Sequence, residues 1–443
     1  MESACPTLLI TTSPQQQQQH TVVERLFQDD MDNVHGFLRA QSWEAPIKVV
    51  HNDEEARPGY QSMKRHEYND TPEVLRAKIK LLSELLRTAK YPLAYTGAGI
   101  STAAGIDDYA TKLNRPSIRT VEGPGNKPTI QVESTVNSSR ARVKTPFDAQ
   151  PTFAHHALAA LYRNGLLKHW IQQNHDGLPQ KAGFPQHALN EIHGAWYDPS
   201  NPVVPMSGDL RGDLFEQVLE WEEKTDLCIT LGTSLSGMNC DRVVETIGTR
   251  AKAGEAGRLG AVIVGLQRTR LDNVCAVRIF ASIDDTMELL LAELGLAPAV
   301  SRVEAPYRVY APLTLPRAAA GGGGGFFGAT EEEGVFVLPY SGRSGRGGPG
   351  RRCTLDLREG AWVRLTEGPH AGDEGEVQGR TRPEGHYKIC FWHRLKPGAK
   401  LKRPMVRVLG AWWLESAVAG LAPRLPVVNV PPAGASAERG EEV

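Results

Sequence analysis

Paired cysteines are missing from this sequence. Its six cysteines, Cys5, Cys228, Cys240, Cys275, Cys353 and Cys390, are scattered over 443 residues with no C-x-x-C pair among them. That excludes a disulfide framework and a cysteine-built zinc tetrad, and it favours a reducing compartment. Long apolar runs are missing too. No stretch approaches the ~18 apolar residues of a membrane span. Met1-Glu2 leads to Leu8, Leu9 and Ile10 without a basic stretch, so neither a membrane partner nor a secretory signal is expected. Charge of one sign is the third absence: 50 Lys+Arg stand against 51 Asp+Glu, a formal net charge of -1. No whole-molecule field then draws the chain to nucleic acid, and any such contact needs a local patch.

Glycine and proline are plentiful, at 44 and 30, and more than half of the glycines lie beyond residue 296. The length predicts two or three folded units at roughly 150 residues each. Residues 1–70, with a glutamine run from Gln15 to Gln19, lack sustained periodicity and are expected to be largely disordered. Thr71-Pro72-Glu73 reads as an N-cap and N1 proline ahead of Val74, Leu75, Ile79, Leu82, Leu85 and Leu86, the spacing of an amphipathic helix. Short apolar runs and helical patterns then alternate up to residue 296. Leu93 to Tyr95, Leu227 to Leu231, Ala261 to Val264 and Val277 to Phe280 read as strands. Phe153 to Leu161 and Met287 to Leu294 read as helices, the second capped by Asp284 or Asp285. This alternation predicts an α/β domain over 71–296 with a parallel sheet covered on both faces. Residues 297–355, with Gly321 to Gly325 and an Arg/Gly stretch from Arg343 to Arg352, read as a flexible linker. A small β-rich unit is expected over 356–418, and a disordered Pro-rich tail over 419–443.

The first candidate for chemistry is Gly97-Ala98-Gly99-Ile100-Ser101, directly after the Leu93 strand. Glycines there permit a tight turn and close approach to a diphosphate. A helix opening after them would add unpaired N–H groups and a positive dipole end. Such a turn is as often merely structural, and Thr102 leaves the six-position dinucleotide pattern incomplete. Company comes in order: Asp107-Asp108-Tyr109, Gln173-Asn174-His175-Asp176-Gly177, Glu191-Ile192-His193-Gly194 and Gly232-Thr233-Ser234. Histidine is the side chain suited to proton transfer near neutral pH.

These motifs, together with Pro151 to Leu158, Gly183-Phe184-Pro185, Ile229 to Leu235 and Val262 to Gln267, resemble the sirtuins, the NAD-dependent protein deacylases, and most of all their nuclear, chromatin-directed branch. The resemblance covers about residues 71–296. It implies a Rossmann-like sheet with helices on both faces, NAD as cofactor, and an acyl-lysine protein substrate, histone being one candidate. The acyl-lysine amide oxygen would attack C1' of the nicotinamide ribose. Deprotonation of a ribose hydroxyl would then let the intermediate rearrange, before water yields deacylated lysine and an acyl ester of ADP-ribose. By the same matching His193 is the base, Asn174 orients the ribose and the attacking atoms, and Gln173 bonds a ribose hydroxyl. Asp176 receives the nicotinamide carboxamide beside Ile100. Gly97, Ala98, Gly99, Ser101 and Asp108 lie on the cofactor loop, and Tyr109 replaces a phenylalanine that shields the reaction centre. Thr233 and Ser234 offer hydroxyls to the cofactor's ribose or phosphates, and Gly232 and Gln267 belong to the same set.

Departures from the family pattern are equally specific. Asp107 and Ala110 replace a proline and an arginine, and Gly265 stands where an asparagine commonly contacts the adenosine ribose. Between His193-Gly194 and Gly208-Asp209 the family inserts a zinc ribbon built on two C-x-x-C pairs. Here a short cysteine-free stretch holds Trp196, Tyr197 and prolines instead, so no zinc is expected and apolar packing takes its place. Residues 115–151 form a long Ser/Thr-rich insertion, either a gate over the pocket or a tolerated surface loop. Residues 363–377 and 387–395 resemble KOW-type SH3-like barrels. Arg380, Arg382, Lys388, Arg394 and Arg403 among Tyr387, Phe391 and Trp392 either contact RNA or chromatin or form a solvated basic face. The sequence thus predicts an NAD-dependent protein-lysine deacylase of the nucleus, with the cytoplasm as the alternative. An ADP-ribosyltransferase or NAD glycohydrolase, and a catalytically silent NAD-binding scaffold, are the competing readings.

Overall fold

Chain order starts with a hairpin, β1 (Ile47–Val50) against β2 (Glu67–Asn69), and continues into helix α1 (Pro72–Thr88) and strand β3 (Pro92–Thr96). The computed structural model describes residues 34–55, 64–106, 117–122, 128–133, 148–205, 208–297, 334–348, 350–381, 385–394 and 402–430. A second hairpin, β4 (Ser117–Glu122) and β5 (Pro128–Glu133), occupies the insertion. Then follow α2 (Phe153–Arg163), β6 (His169–Gln172), β7 (Leu189–Glu191), α3 (Gly212–Lys224), β8 (Leu227–Leu231), α4 (Arg242–Lys252), β9 (Gly260–Val264), β10 (Val277–Ile279) and α5 (Ile283–Glu293). Local chemistry sets the helix ends. Thr71 accepts from the Val74 amide with Pro72 at N1, and Gly165 takes φ +74° just past α2. Helix α5 is capped by Ser282, not by Asp284 or Asp285, which lie inside its first turn.

The six-stranded sheet has the order β10-β9-β8-β3-β6-β7 with every pairing parallel. Alternation along each strand divides the core in two. Ala94, Ile229 and Val262 pack with Leu82, Leu158, Met287 and Leu290 of α1, α2 and α5. Leu93, Cys228 and Ile263 pack with Val218, Val243 and Ile247 of α3 and α4. From β3 the chain steps to β6 and β7 on one side, then returns to β8 on the other. That makes β3 the switch point, and parallel sheets bind ligands at the carboxyl ends of strands flanking such a point. No helix among the described residues is long and apolar enough to cross a membrane.

Three boundaries differ from the sequence expectation. Order begins before residue 71: Phe37 and Leu38 donate backbone bonds to Cys275 and Ala276, the Arg278 amide donates to His35, and Val34 and Tyr68 pack on Phe280. Asp70 is fully buried and holds Lys78 Nζ at 2.6 Å. Residues 334–356 are not linker. They form the hairpin β11 (Val335–Leu338) and β12 (Cys353–Asp356), which buries Phe336, Leu338 and Leu355. The expected tail also contributes a strand, after β13 (Trp362–Leu365), β14 (Glu374–Arg380), β15 (Tyr387–Arg394), β16 (Lys402–Leu409) and helix α6 (Ala411–Val418). That strand is β17 (Val427–Asn429), which pairs with β13. The resulting antiparallel sheet has the order β16-β15-β14-β13-β17.

Arg278 of β10 is the polar hinge of the large sheet's edge. Its side chain is fully buried, 2.9 Å from Asp272, and donates to the carbonyls of Ile263, Gly265, Gln267 and Ile279. Arg278→Leu would remove a buried donor from the Ile263, Gly265 and Gln267 carbonyls and the counter-charge of Asp272, which would keep only its bonds from Thr269. It is expected to cost about 3–5 kcal/mol, read as a lower urea midpoint by tryptophan fluorescence.

Candidate functional site

The carboxyl ends of β3, β6 and β8 bring three loops together. Gly97 and Gly99 meet the Gly232 turn backbone to backbone: the Gly97 amide donates to Leu231, and the Gly99 amide donates to Gly232 at 2.8 Å. A Cβ on Gly99 would lie 2.8 Å from Gly232 Cα, and one on Gly97 would lie 2.8 Å from Thr233 Cβ. Both glycines are therefore required by the packing of the two turns. The helix expected to open after them is replaced by two three-residue 3-10 turns, Ala98–Ile100 and Thr102–Ala104. A diphosphate there would meet turn amides and side chains, without the dipole of a long helix.

Polar side chains converge on this crevice. Asn174 donates through Nδ2 to Ser101 Oγ at 2.9 Å and to the Gly97 carbonyl at 3.2 Å. Ser101 in turn donates to Asp176 Oδ2 at 2.7 Å, and Asp176 Oδ1 accepts from the Leu178 amide. Asp176 is buried, which pushes its carboxyl above the usual range. Gln173 donates to Thr233 Oγ1 at 3.0 Å, tying β6 to β8. Ser234 is exposed and bonds Ser236. Leu235 next to it is the one non-glycine residue at positive φ (48°) among the described residues, so this turn holds backbone strain beside the crevice. Ile100 is buried and Ala98 half-buried in the same loop. Gln267 lies past the end of β9, where its backbone bridges Glu67 and its carbonyl accepts from Arg278. Asp108 and Tyr109 lie outside the described residues.

His193 follows β7 and is half-buried. Burial holds its pKa down to about 4; the neighbouring charge of His175 adds to this, and a hydrogen bond with the Gln173 backbone opposes it. That bond puts the imidazole against the Gln173-Asn174 segment, the same segment that reaches Ser101 and Thr233. At neutral pH the ring is unprotonated and fit to accept a proton. Two residues earlier in the chain, Glu191 accepts from Gln172 Nε2 at 3.1 Å, and burial pushes its carboxyl up to about 8. The turn after His193 is knitted by backbone and side-chain hydrogen bonds. The Ala195 amide donates to Asn201, Trp196 to His175, and Val204 to His193, while Asn201 Nδ2 donates to the Glu191 carbonyl. Gly194 at φ +97° has no room for a Cβ, which would lie 2.5 Å from the Pro202 carbonyl oxygen.

Sequence reasoning does not find the link between this turn and the C-terminal sheet, through Tyr197, nor the Ser101–Asp176 bond. The buried side chain of Tyr197 belongs to the same core as Trp412, Tyr387 and Leu409. Two groups among the described residues have metal-ligand spacing, His51/Asp53/His66 and His370/Asp373/His393. Neither includes a crevice residue, and the positive charge of Arg407 acts on His370, opposing a cation there.

A family model described as the Sir2 family matches residues 97–200. The chain is 30% identical over 286 residues to the human NAD-dependent protein deacetylase sirtuin-7, a match covering 55% of this chain and 66% of that protein. It is 30% identical over 271 residues to the NAD-dependent protein deacetylase SRT1 of Arabidopsis thaliana, covering 52% of each. It is 29% identical over 229 residues to a NAD-dependent protein deacetylase of Saccharolobus solfataricus, covering 44% of this chain and 87% of that one. The chain thus spans just under two thirds of the length of the sirtuin-7 relative. A solved complex, Sir2-p53 peptide-NAD+, matches at 21% identity and TM-score 0.37, covering 49% of this chain and 99% of that one.

Proposed function

We propose that the chain is a member of the Sir2 family, on the family-model match over 97–200 and the similarity to sirtuin-7 and SRT1, and that it is an NAD-dependent protein-lysine deacylase that moves the acyl group to ADP-ribose and releases nicotinamide. The observation that carries the reading is the convergence of Asn174, Ser101, Asp176 and the neutral His193 at the sheet's switch point. The donor set fits the cofactor. Asp176 is an acceptor for a carboxamide, Gln173, Thr233 and Ser234 are partners for ribose or phosphate oxygens, and the glycines let the two turns pack backbone to backbone beside them. NAD supplies a glycosidic bond whose leaving group departs as neutral nicotinamide. The chain's part is positional and protolytic: Asn174 orients, and His193 takes the ribose hydroxyl proton.

The test is to incubate the protein with NAD and an acetyl-lysine peptide and to identify the products by mass spectrometry. Equal amounts of nicotinamide, deacetylated peptide and acetyl-ADP-ribose are expected. Free ADP-ribose or ADP-ribosylated protein without peptide turnover would replace this reading with the transferase or glycohydrolase one. Cofactor protection against heating without products would leave the scaffold reading.

Gly265 gives a separate check on cofactor fit. A Cβ built there meets nothing within 4 Å, and its φ is not left-handed, so the position just past β9 has room for a side chain. Gly265→Asn is expected to tighten NAD binding about fivefold by calorimetry, the worth of one added hydrogen bond at ~1 kcal/mol.

Absence of structural zinc, nuclear residence and histone as substrate form part of the proposal; the cysteine-free turn after His193 and the branch-like motifs support them. A contact with RNA or chromatin through the C-terminal unit is supported by a cavity of about 660 Å³ lined by Arg346, Arg351 and Arg424 with Ser344 and Thr366. Exposed Trp362 stacks on Trp392 elsewhere on the same sheet, 5.3 Å between centroids.

A further inference from the structure

The C-terminal unit grips the turn that carries His193. The Gly410 amide donates to the Tyr197 carbonyl at 2.9 Å. The Tyr197 ring sits edge-on to Trp412 and His386, with centroids 5.0 and 4.9 Å away, and His386 and Trp412 contact each other at 4.8 Å. His386 is itself fixed, because its Nδ1 accepts from the Ala411 amide at the start of α6. From the catalytic side, Gly177 leaves room for the same ring: a Cβ there would lie 2.7 Å from Tyr197 Cδ2. A second grip is ionic. Glu367, after β13, accepts from Ser200 Oγ at 3.3 Å and lies 3.4 Å from Arg211 Nη2, with both side chains close to nine-tenths buried. Gly368 passes so close to the Ser200 carbonyl that no Cβ would fit.

We propose that the C-terminal unit is a built-in brace for the catalytic base: the Trp412–His386 clasp on Tyr197 and the Glu367 clasp on Ser200 and Arg211 hold the 193–204 turn, and so the His193 imidazole, in place. The physical need is visible in the turn itself. Between Gly194 and Val204 it contains no regular strand or helix and relies on a handful of backbone bonds. An aromatic ring drawn into another unit's core, together with a buried carboxylate–guanidinium contact, supplies the tertiary restraint that those bonds lack. Tyr197, Trp412 and Glu367 are thus positioning residues, acting through the turn on His193. The kinetic consequence rests on the deacylase reading; the structural one does not.

Hydrogen exchange read by mass spectrometry on the full chain separates the two. In Trp412→Ala and, separately, Glu367→Ala, exchange of peptides spanning 192–204 is expected to rise about tenfold, while peptides over β3 and β8 stay unchanged, and Trp412→Phe restores most of the protection. With NAD and acetyl peptide, kcat is expected to fall about tenfold in Trp412→Ala with KM for NAD within about twofold, because the Gly97–Gly99 and Gly232–Thr233 turns keep their mutual bonds while the base is displaced. Unchanged protection of 192–204 in both alanine variants overturns the proposal, and so does a uniform rise over the whole chain in both. If the wild type turns over no peptide, the deacylase reading fails, and the exchange data alone still decide the brace.

Discussion

Replacing His193 with alanine is expected to lower the yield of deacylated peptide by about 10²- to 10⁴-fold, the usual worth of a positioned general base. Exchange of labelled nicotinamide into NAD should survive, because in this scheme the base acts after the glycosidic bond has broken. Loss of both reactions together would make His193 a structural residue. The pH profile carries the same claim. Burial lowers the imidazole's proton affinity to about 4, so the neutral, working form persists through the physiological range and is lost only as pH falls through that value. The expected kcat/KM is therefore flat from pH 8 down to about 5, whereas a solvated histidine would impose an acid limb near 6.5. A limb at that higher position would show that the ring is not enclosed as described.

Asn174→Ala is the second large effect. Asn174 is the only crevice side chain described as bonding both the Gly97 carbonyl and Ser101 Oγ, so it sets the distance between the glycine turn and the Gln173-Asp176 segment. Without it the reacting atoms lose their common frame, and nicotinamide release should slow about 10²-fold. Here exchange and deacylation fall together, in contrast to His193→Ala. Heat protection by NAD should persist, since Gln173, Thr233 and Asp176 remain. Ser101→Ala should cost about tenfold, because Asn174 keeps its bond to Gly97 while Asp176 loses a donor. Should Asn174→Ala leave exchange intact, Asn174 would be a loop tie alone.

What can be read from the sequence follows physical legibility. Strands β3, β8, β9 and β10 are near-continuous apolar runs, because both of their faces are covered. Strands β6 and β7 are not legible as strands. They carry His169, Gln172, Asn190 and Glu191, all buried, and only the folded chain shows why they are tolerated: Gln172 pairs with Glu191, Asn190 with Leu214 and Gln217, and His169 stacks on Trp221. The hairpin β11–β12 hides in a glycine- and arginine-rich stretch, because its signal is only a short alternation ending in Leu338 and Leu355. The crevice residues can be named through ordered motifs, but their bonds to one another cannot. For Gly97 and Gly99 the structure supplies a packing reason that motif reading leaves out, and the turns after them are 3-10. Apolar packing around Tyr197 is expected from the sequence in place of a zinc ribbon. Its partner is not, since Trp412 lies far along the chain, in a helix that the local pattern does not announce.

The most direct measurement is to run the reaction in water enriched in oxygen-18 and locate the label. If the acyl-lysine oxygen attacks C1' and the His193-activated hydroxyl then captures the acyl carbon, water enters last. The label then belongs in the acyl group of the product ester, with C1' unlabelled. Label on C1' of ADP-ribose, with the acyl group unlabelled, would mean that water attacks the sugar itself, and Asn174 and His193 could not have the roles assigned to them.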